Sequence, residues 1–291
     1  MPERPTRRLD ERTFLYGDEG TEWCVRRYSP ATELYQVVDA GPRPEVTLED
    51  VERSVESLES WVATYEPTEE TFAPVLRAMA EFGESGVPYG GVGVGVGLPH
   101  ESLWVEAVAA RPDLIGRYFA AQAERGVRIA RAAARYGIRY LYGGGDFASA
   151  RGPFLSPHSF RELMLPALQR ISTACDEVGA LHGFASDGDL WPLADDLFGR
   201  SGIRFYYEVD AAAGMQLRRL RERFPRLALL GGVNSATLHR GSPENVTCET
   251  REALSAAREH GGCIVGCSNQ IVAGTPMANF RAMMDVLHAE R

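Results

Sequence analysis

Five short apolar runs of this chain end in polar groups able to move protons or hold a ligand. Tyr142-Gly143-Gly144-Gly145-Asp146 ends in glycines and a carboxylate, with Arg151 close behind. Leu181-His182-Gly183-Phe184-Ala185 leads into Ser186-Asp187-Gly188-Asp189 and then Trp191. Phe205-Tyr206-Tyr207-Glu208-Val209-Asp210 carries two acids, Gly231-Gly232-Val233 leads to Asn234, and the Cys263–Gly266 run leads to Cys267-Ser268-Asn269. Carboxylates at Asp146, Asp187, Glu208 and Asp210 suit acid–base work or the binding of a metal. Arg151 can grip an anion, while His182, Asn234, Asn269, Tyr207 and Trp191 can orient a small substrate. Cys267 is a further candidate for reactivity or metal binding.

Each of these groups also has a structural reading. Asp146 can tie down its own loop through backbone N–H groups. Asp189 fits the cap of a following helix, and His182 fits a satisfied core histidine. If the strand runs through 210, alternation puts Tyr206, Glu208 and Asp210 on one face. Two acids buried together are costly unless paired, hydrogen-bonded or metal-bound, which favours function there. Cys267 lies at a strand end, unlike Cys175 and Cys248, yet a lone cysteine often serves as a small hydrophobe.

The elements that must position these groups alternate. Strands are expected at Tyr89–Val96, Arg139–Tyr142, Ala180–Ala185, Arg204–Val209, Leu227–Gly232 and Cys263–Gly266. Helices are expected over 101–135, 157–178, 189–200, 214–223, 243–260 and 276–289, after earlier ones at Leu48–Tyr65 and Thr71–Phe82. Such alternation predicts a parallel sheet, and its length favours closure into a barrel. Ser156-Pro157, Ser242-Pro243 and Thr275-Pro276 each place a capping hydroxyl before a first-turn proline. Residues 1–45 read as an irregular extension in which Thr21–Tyr28 and Glu33–Ala40 form a hairpin. The whole of 1–291 is expected to be one domain.

The Gly90–Gly97 run alternates glycine and valine. It fits neither dinucleotide nor Walker spacing. As a strand it would leave one face bare, for close backbone packing or for a ligand.

Composition excludes several chemistries. All 31 basic residues are arginine, so Schiff-base aldolases, pyridoxal-phosphate enzymes and Walker ATPases lack their lysine. There is no flavin signature. A net charge of −9 disfavours nucleic-acid and anionic-membrane partners. Five cysteines in 291 residues make no disulfide framework. No apolar leader or membrane-length run is present, so a cytoplasmic location is expected.

Taken in order, several segments resemble the uroporphyrinogen-decarboxylase-like superfamily. Ser156-Pro157-His158-Ser159-Phe160-Arg161-Glu162 with Leu165-Pro166 is similar to its SPxxFRE helix. Ser186-Asp187-Gly188-Asp189-Leu190-Trp191-Pro192 resembles SDGDLWP, and Ala213-Gly214-Met215 resembles AGM. Gly232-Val233-Asn234 with Gly241-Ser242-Pro243-Glu244, and the Gly261–Asn269 block with Gly274-Thr275-Pro276 and Asn279-Phe280, match the later motifs. The resemblance runs from about residue 100 to the end, and five motifs in order are specific. It implies a (β/α)8 TIM barrel; only six clear strands are legible, so either the barrel is degenerate at its N-terminal unit or the 21–40 hairpin replaces that unit.

True uroporphyrinogen decarboxylases carry an RQAGRYxPEY motif that this chain lacks, which argues against porphyrin decarboxylation. The methyltransferase branch is left, with methyl transfer or demethylation of a small polar metabolite as the implied reaction. That branch implies a corrinoid protein or a thiol as methyl acceptor, and allows a homodimer. It also implies zinc, bound by a His-x-Cys pair and a later Cys. Here the histidine position falls on Ala185 and the first cysteine position on Asp187. Only Cys267 remains as a soft ligand, and a remodelled site would draw on His182, Asp187, Asp210 and Cys267. A metal-free site, a decarboxylase or lyase using aspartates, and a non-catalytic ligand-binding protein stay open as alternatives.

Overall fold

The computed structural model describes residues 4–20, 22–30, 34–41, 46–84, 86, 90, 91, 93–99 and 101–290. The chain opens with strands β1 (Arg7–Arg8), β2 (Thr13–Gly17), β3 (Trp23–Ser29) and β4 (Leu34–Ala40), paired antiparallel in that order. β3 and β4 pair across the segments expected to form a hairpin; Thr21 and Glu33 lie outside the described residues. Thr13 and Leu15 are buried on one side of β2, while Phe14 and Tyr16 carry Arg8 and Arg26 over their rings on the other.

Helices α1 (Leu48–Thr64) and α2 (Glu69–Phe82) follow. Thr47 accepts from the Asp50 N–H while Asp50 accepts from the Thr47 N–H, a reciprocal box that satisfies two orphan donors. Val51, Val55 and Val62 form the buried stripe of α1. Next come β5 (Gly90–Gly91), α3 (Ser102–Ala110) and α4 (Pro112–Arg135). The single helix expected over 101–135 is therefore two. Pro112 has no N–H to continue α3 and instead starts α4, with Arg111 non-helical between them at φ −140°.

The remaining strands are β6 (Tyr140–Gly144), the two-residue pair β7 (Ala148–Ser149) and β8 (Gly152–Pro153), β9 (Leu181–Ala185), β10 (Phe205–Tyr207), β11 (Ala228–Val233) and β12 (Cys263–Cys267). Between them lie α5 (Pro157–Ser159), α6 (Leu165–Glu177), α7 (Leu217–Arg223), α8 (Ser235–Arg240) and α9 (Pro243–His260), and α10 (Met277–Glu290) closes the chain. Pro166 cannot donate to a carbonyl one turn back, and the chain widens into a π turn at Phe160–Met164 just before it. The helices expected over 189–200 and 214–223 are shorter and partly 3-10 or π in form, at Trp191–Leu193, Asp195–Arg200 and Ala211–Ala213. Two of the three expected hydroxyl caps form, at Ser156 and Ser242. The third hydroxyl, Thr275, pairs instead with His239 Nδ1.

Six strands form one sheet in the order β12-β11-β10-β9-β6-β5, and every neighbouring pair runs parallel. The protein is a mixed α/β fold, and its crossovers put helices against the sheet. Closure does not follow: among the described residues β5 and β12 remain edges, so the expected barrel is an open sheet here. The strand expected over Tyr89–Val96 accounts for the gap in part. Tyr89 and Val92 lie outside the described residues, and 93–99 is irregular, with Gly93 at φ +77°. Side chains of α4 substitute for the missing ladder. Gln122 accepts from the Gly97 N–H and donates to the Gly97 carbonyl, each at 2.9 Å, and Arg125 donates to the Gly95 carbonyl.

One apolar core spans the sheet and its helices, from Val51 through Ile115, Phe119 and Leu141 to Leu229 and Ala256. Fully burying side chains such as Ile115 or Phe119 contributes about 1.5–3 kcal/mol each. A second, smaller cluster holds Val233, Leu238, Val246 and Met283 beneath α9 and α10. No described helix is long and apolar enough to cross a membrane.

His182 belongs to the helix side of the sheet. It is buried, and its Nδ1 lies 2.7 Å from Ser172 Oγ on α6. Burial pushes its pKa down to about 4 from an ordinary 6.5, partly opposed by a hydrogen bond to the Val94 backbone. The unfolded chain takes up this proton near 6.5, whereas the folded chain resists until about 4. Stability should therefore fall as pH drops through that window, by about 3 kcal/mol at the acid end. Urea titrations at pH 7 and pH 4.5 on the wild type and His182→Gln check this. An equal acid loss in both proteins would refute the assignment.

Candidate active site

The polar groups gather where β6, β9 and β10 end. Asp146 follows β6, Asp187 follows β9, and Glu208 follows β10 directly. Carboxylate oxygens from these three residues all lie within 4.8 Å of one another. The carboxyl ends of parallel strands are where such sheets place their ligands.

Local backbone explains how each acid reaches the group. The Asp187 N–H points at Asp146 Oδ1 across 3.4 Å, joining the two loops. Gly188 has φ +90°, and a Cβ there would stand 2.6 Å from the Ala148 backbone. Only glycine lets the 187 turn sit so tightly under the 146–153 segment. Glu208 has φ +71°, the one non-glycine residue with positive φ among those described. Such a conformation is costly for a side-chain-bearing residue and is maintained when its surroundings over-determine it.

The electrostatics follow from this crowding. Burial pushes the Glu208 carboxyl up to about 7, reinforced by the charges of Asp187 and Asp146. Asp187 is also raised, first by burial and then by Asp210 and Asp146, against a lowering hydrogen bond from Asn269. That bond runs from Asn269 Nδ2 to Asp187 Oδ2 at 2.7 Å. Asn269 is held in turn by the Tyr207 hydroxyl, which donates to its carbonyl at 2.7 Å. Tyr142 shares this electrostatic environment: burial raises its phenol, and the charge of Glu208 adds to the shift. Three carboxylates with one proton poised near neutrality can give and take protons.

Asp210 has a different task from the one expected. The strand stops at Tyr207, so the alternation that would put Glu208 and Asp210 on one face fails. Asp210 accepts from the Ala213 N–H and, at 3.2 Å, from the Gly188 N–H. It caps a short turn and pins the neighbouring loop, acting on the cluster as a nearby charge.

Several other candidates are drawn elsewhere. His182 faces α6, so it is neither a substrate group nor a metal ligand at this cluster. Cys267 shares its strand face with Val265 and packs against the second apolar cluster. Burial raises its thiol, helped by Glu249 and opposed by the Asn269 backbone. Asn234 spends its side-chain oxygen on the Ala236 N–H as the cap of α8. Arg151 is exposed in the β7–β8 turn, where its backbone N–H donates to Ser149 Oγ. Trp191 donates its indole N–H to the Gly214 carbonyl, under the guanidinium of Arg219.

Zinc on thiolates does not fit these residues. Ala185 offers no ligand atom, Asp187 offers oxygen, and Cys267 is turned into an apolar cluster. The described groups that could share a cation are the three carboxylates, an all-oxygen set suited to a hard ion. Replacing Cys267 by serine should therefore leave the metal content of the purified protein unchanged. Mass-spectrometric metal analysis tests this, and stoichiometric zinc lost in the variant would refute it.

Three contributors received no role in the residue-level reading of the sequence, although it set Tyr206 on one face with Glu208. Tyr142 lines the cluster, and Ser186 and Tyr206 lie buried beneath it. Alternation offered a signal for Tyr142, which stands beside Gly183 in the register of β6 and β9.

The sequence profile of uroporphyrinogen decarboxylase (URO-D) matches residues 107–290. The chain belongs to the URO-D family. Its matched span contains every acid of the cluster and all the strands that carry them. Among solved structures, the chain is similar to a methyltransferase from Methanosarcina mazei, with a TM-score of 0.58 and 19% sequence identity. That alignment covers 91% of this chain and 76% of the other. The likeness shows a shared fold over nearly the whole of this chain. No curated protein sequence matches this URO-D member.

Proposed function

We propose that this URO-D member is an acid–base enzyme that transfers or removes a methyl group on a small polar metabolite. The observation carrying the proposal is the convergence of Asp146, Asp187 and Glu208 at three adjacent strand ends. Glu208 is the proton donor, since a carboxyl with a pKa near 7 is half protonated where cells work. In the step, the bond from the methyl carbon to its oxygen, nitrogen or sulfur breaks as the acceptor forms its own bond to that carbon. On a neutral substrate Glu208 delivers a proton to the departing heteroatom, leaving a neutral product and the Glu208 carboxylate, whereas a cationic substrate releases its heteroatom neutral without that proton. The acceptor is a strong external nucleophile, a reduced corrinoid carried by a partner or a thiolate. The likeness to a methyltransferase supports this reaction class.

Charge narrows the substrate. A cluster of three carboxylates repels polyanions and favours a neutral or cationic molecule. The decarboxylase alternative would need a cation to receive the substrate's carboxylate, and Arg151 stands exposed in its turn.

The proposal is tested by offering methylated amines, ethers and thioethers with either cob(I)alamin or a free thiol. Methylated acceptor should form with at least one class. Release of carbon dioxide from carboxylated substrates, with no methyl transfer, would overturn it.

A further inference from the structure

Beneath the three acids lie two hydroxyls that touch none of the carboxylates yet connect all three loops. Ser186 and Tyr206 are both fully buried. Ser186 Oγ accepts from the Phe147 N–H at 3.1 Å and donates to the Asp187 carbonyl at 2.8 Å. One side chain thus bonds to the residue after Asp146 and to Asp187 itself. The Tyr206 hydroxyl stands 3.0 Å from the Ser186 carbonyl and 3.0 Å from the Glu208 carbonyl, its proton shared between them. It bonds the Asp187 side of this arrangement to the backbone of Glu208, where φ is +71°.

We propose that Ser186 and Tyr206 are positioning residues that form a buried bracket and set the mutual spacing of Asp146, Asp187 and Glu208. The physical reasoning is direct. Three carboxylates repel one another, and loops after strands have the freedom to let them part. Crowding persists only if the backbone beneath is bonded across the loops. Phe198 and Phe184 pack beside the Tyr206 ring, with centroids 5.0 and 6.3 Å away, so the hydroxyl has little lateral freedom. Excluding water from both hydroxyls also removes the competitor that would otherwise replace these bonds. The bracket rests on the reading of the acid cluster as the working centre.

The test needs no substrate. Carbon-13 side-chain titrations of Glu208 are recorded in the wild type, Tyr206→Phe and Ser186→Ala, with Ser186→Thr as the conservative variant that keeps the hydroxyl. In each removal variant the Glu208 midpoint should fall by about one pH unit, because the acids can move apart. Ser186→Thr should restore it. Circular dichroism establishes that each variant is folded, and if Tyr206→Phe is not, Ser186→Ala decides the matter. A raised wild-type midpoint that every folded removal variant retains would overturn the bracket alone. An ordinary wild-type midpoint would remove the proton-donor reading as well, so the two failures are distinguishable.

Discussion

Glu208→Gln should lower turnover by about two to four orders of magnitude, the usual contribution of a positioned general acid. The same substitution should stabilise the protein above neutrality. In the folded state Glu208 keeps its proton until about pH 7, whereas the unfolded chain releases it near 4.5. The favourable contribution of the protonated form is complete below 4.5 and is lost as pH rises through 7. Glutamine has no proton to lose and keeps the neutral form at every pH. The thermal midpoints of variant and wild type should therefore agree near pH 4 and diverge by pH 8, with the variant higher. Undiminished turnover would take Glu208 out of the chemistry. A midpoint advantage that is the same at pH 4 and pH 8 would assign the gain to packing.

Gly143→Ala should be the most damaging single methyl in the sheet. A Cβ at Gly143 would lie 1.9 Å from the Gly95 backbone nitrogen and 2.0 Å from its Cα. Neither atom belongs to a flexible side chain. Relief requires the 93–97 segment to move away, taking Val94 and Val96 out of the core where both are buried. The cost is about 3 kcal/mol or more. Gly97→Ala is the matched control, since its nearest contact would be 3.8 Å from the Gly145 Cα. Its effect should stay within about 1 kcal/mol. Urea midpoints measure both, and equal losses would show that the close approach of Gly95 to Gly143 matters little.

The Gly95–Gly143 contact also shows how far the glycine–valine run could be read. Period-two alternation correctly anticipates buried valines at 94 and 96 and a bare side open to a second backbone. It does not anticipate that the segment leaves the ladder and is held by Gln122 and Arg125. Those bonds join residues 25 to 30 positions apart. Nothing within the run itself encodes them.

The three acids divide in the same way. Their places just beyond apolar runs are written in the chain, because a strand's residues differ from those of the loop that follows. Which acids meet is not. Alternation grouped Glu208 with Asp210, but the strand ended three residues earlier than that pairing requires. Glu208 then turned toward Asp146 and Asp187, and Asp210 became a cap. Cys267 was legible in principle, since strand alternation gives it the face of Val265, which packs against helices.

By itself the amino-acid sequence determined the α/β alternation, the family motifs, the helix starts at Ser156 and Ser242, and the absence of any lysine chemistry. These are local properties, set by side-chain type and spacing over a few residues. The tertiary structure decided that the described sheet stays open, that His182 and Cys267 turn toward helices, and that Ser186 and Tyr206 lie beneath the acids. Each of those outcomes depends on hydrogen bonds or packing between segments far apart in the chain. Only the folded backbone brings such partners within reach.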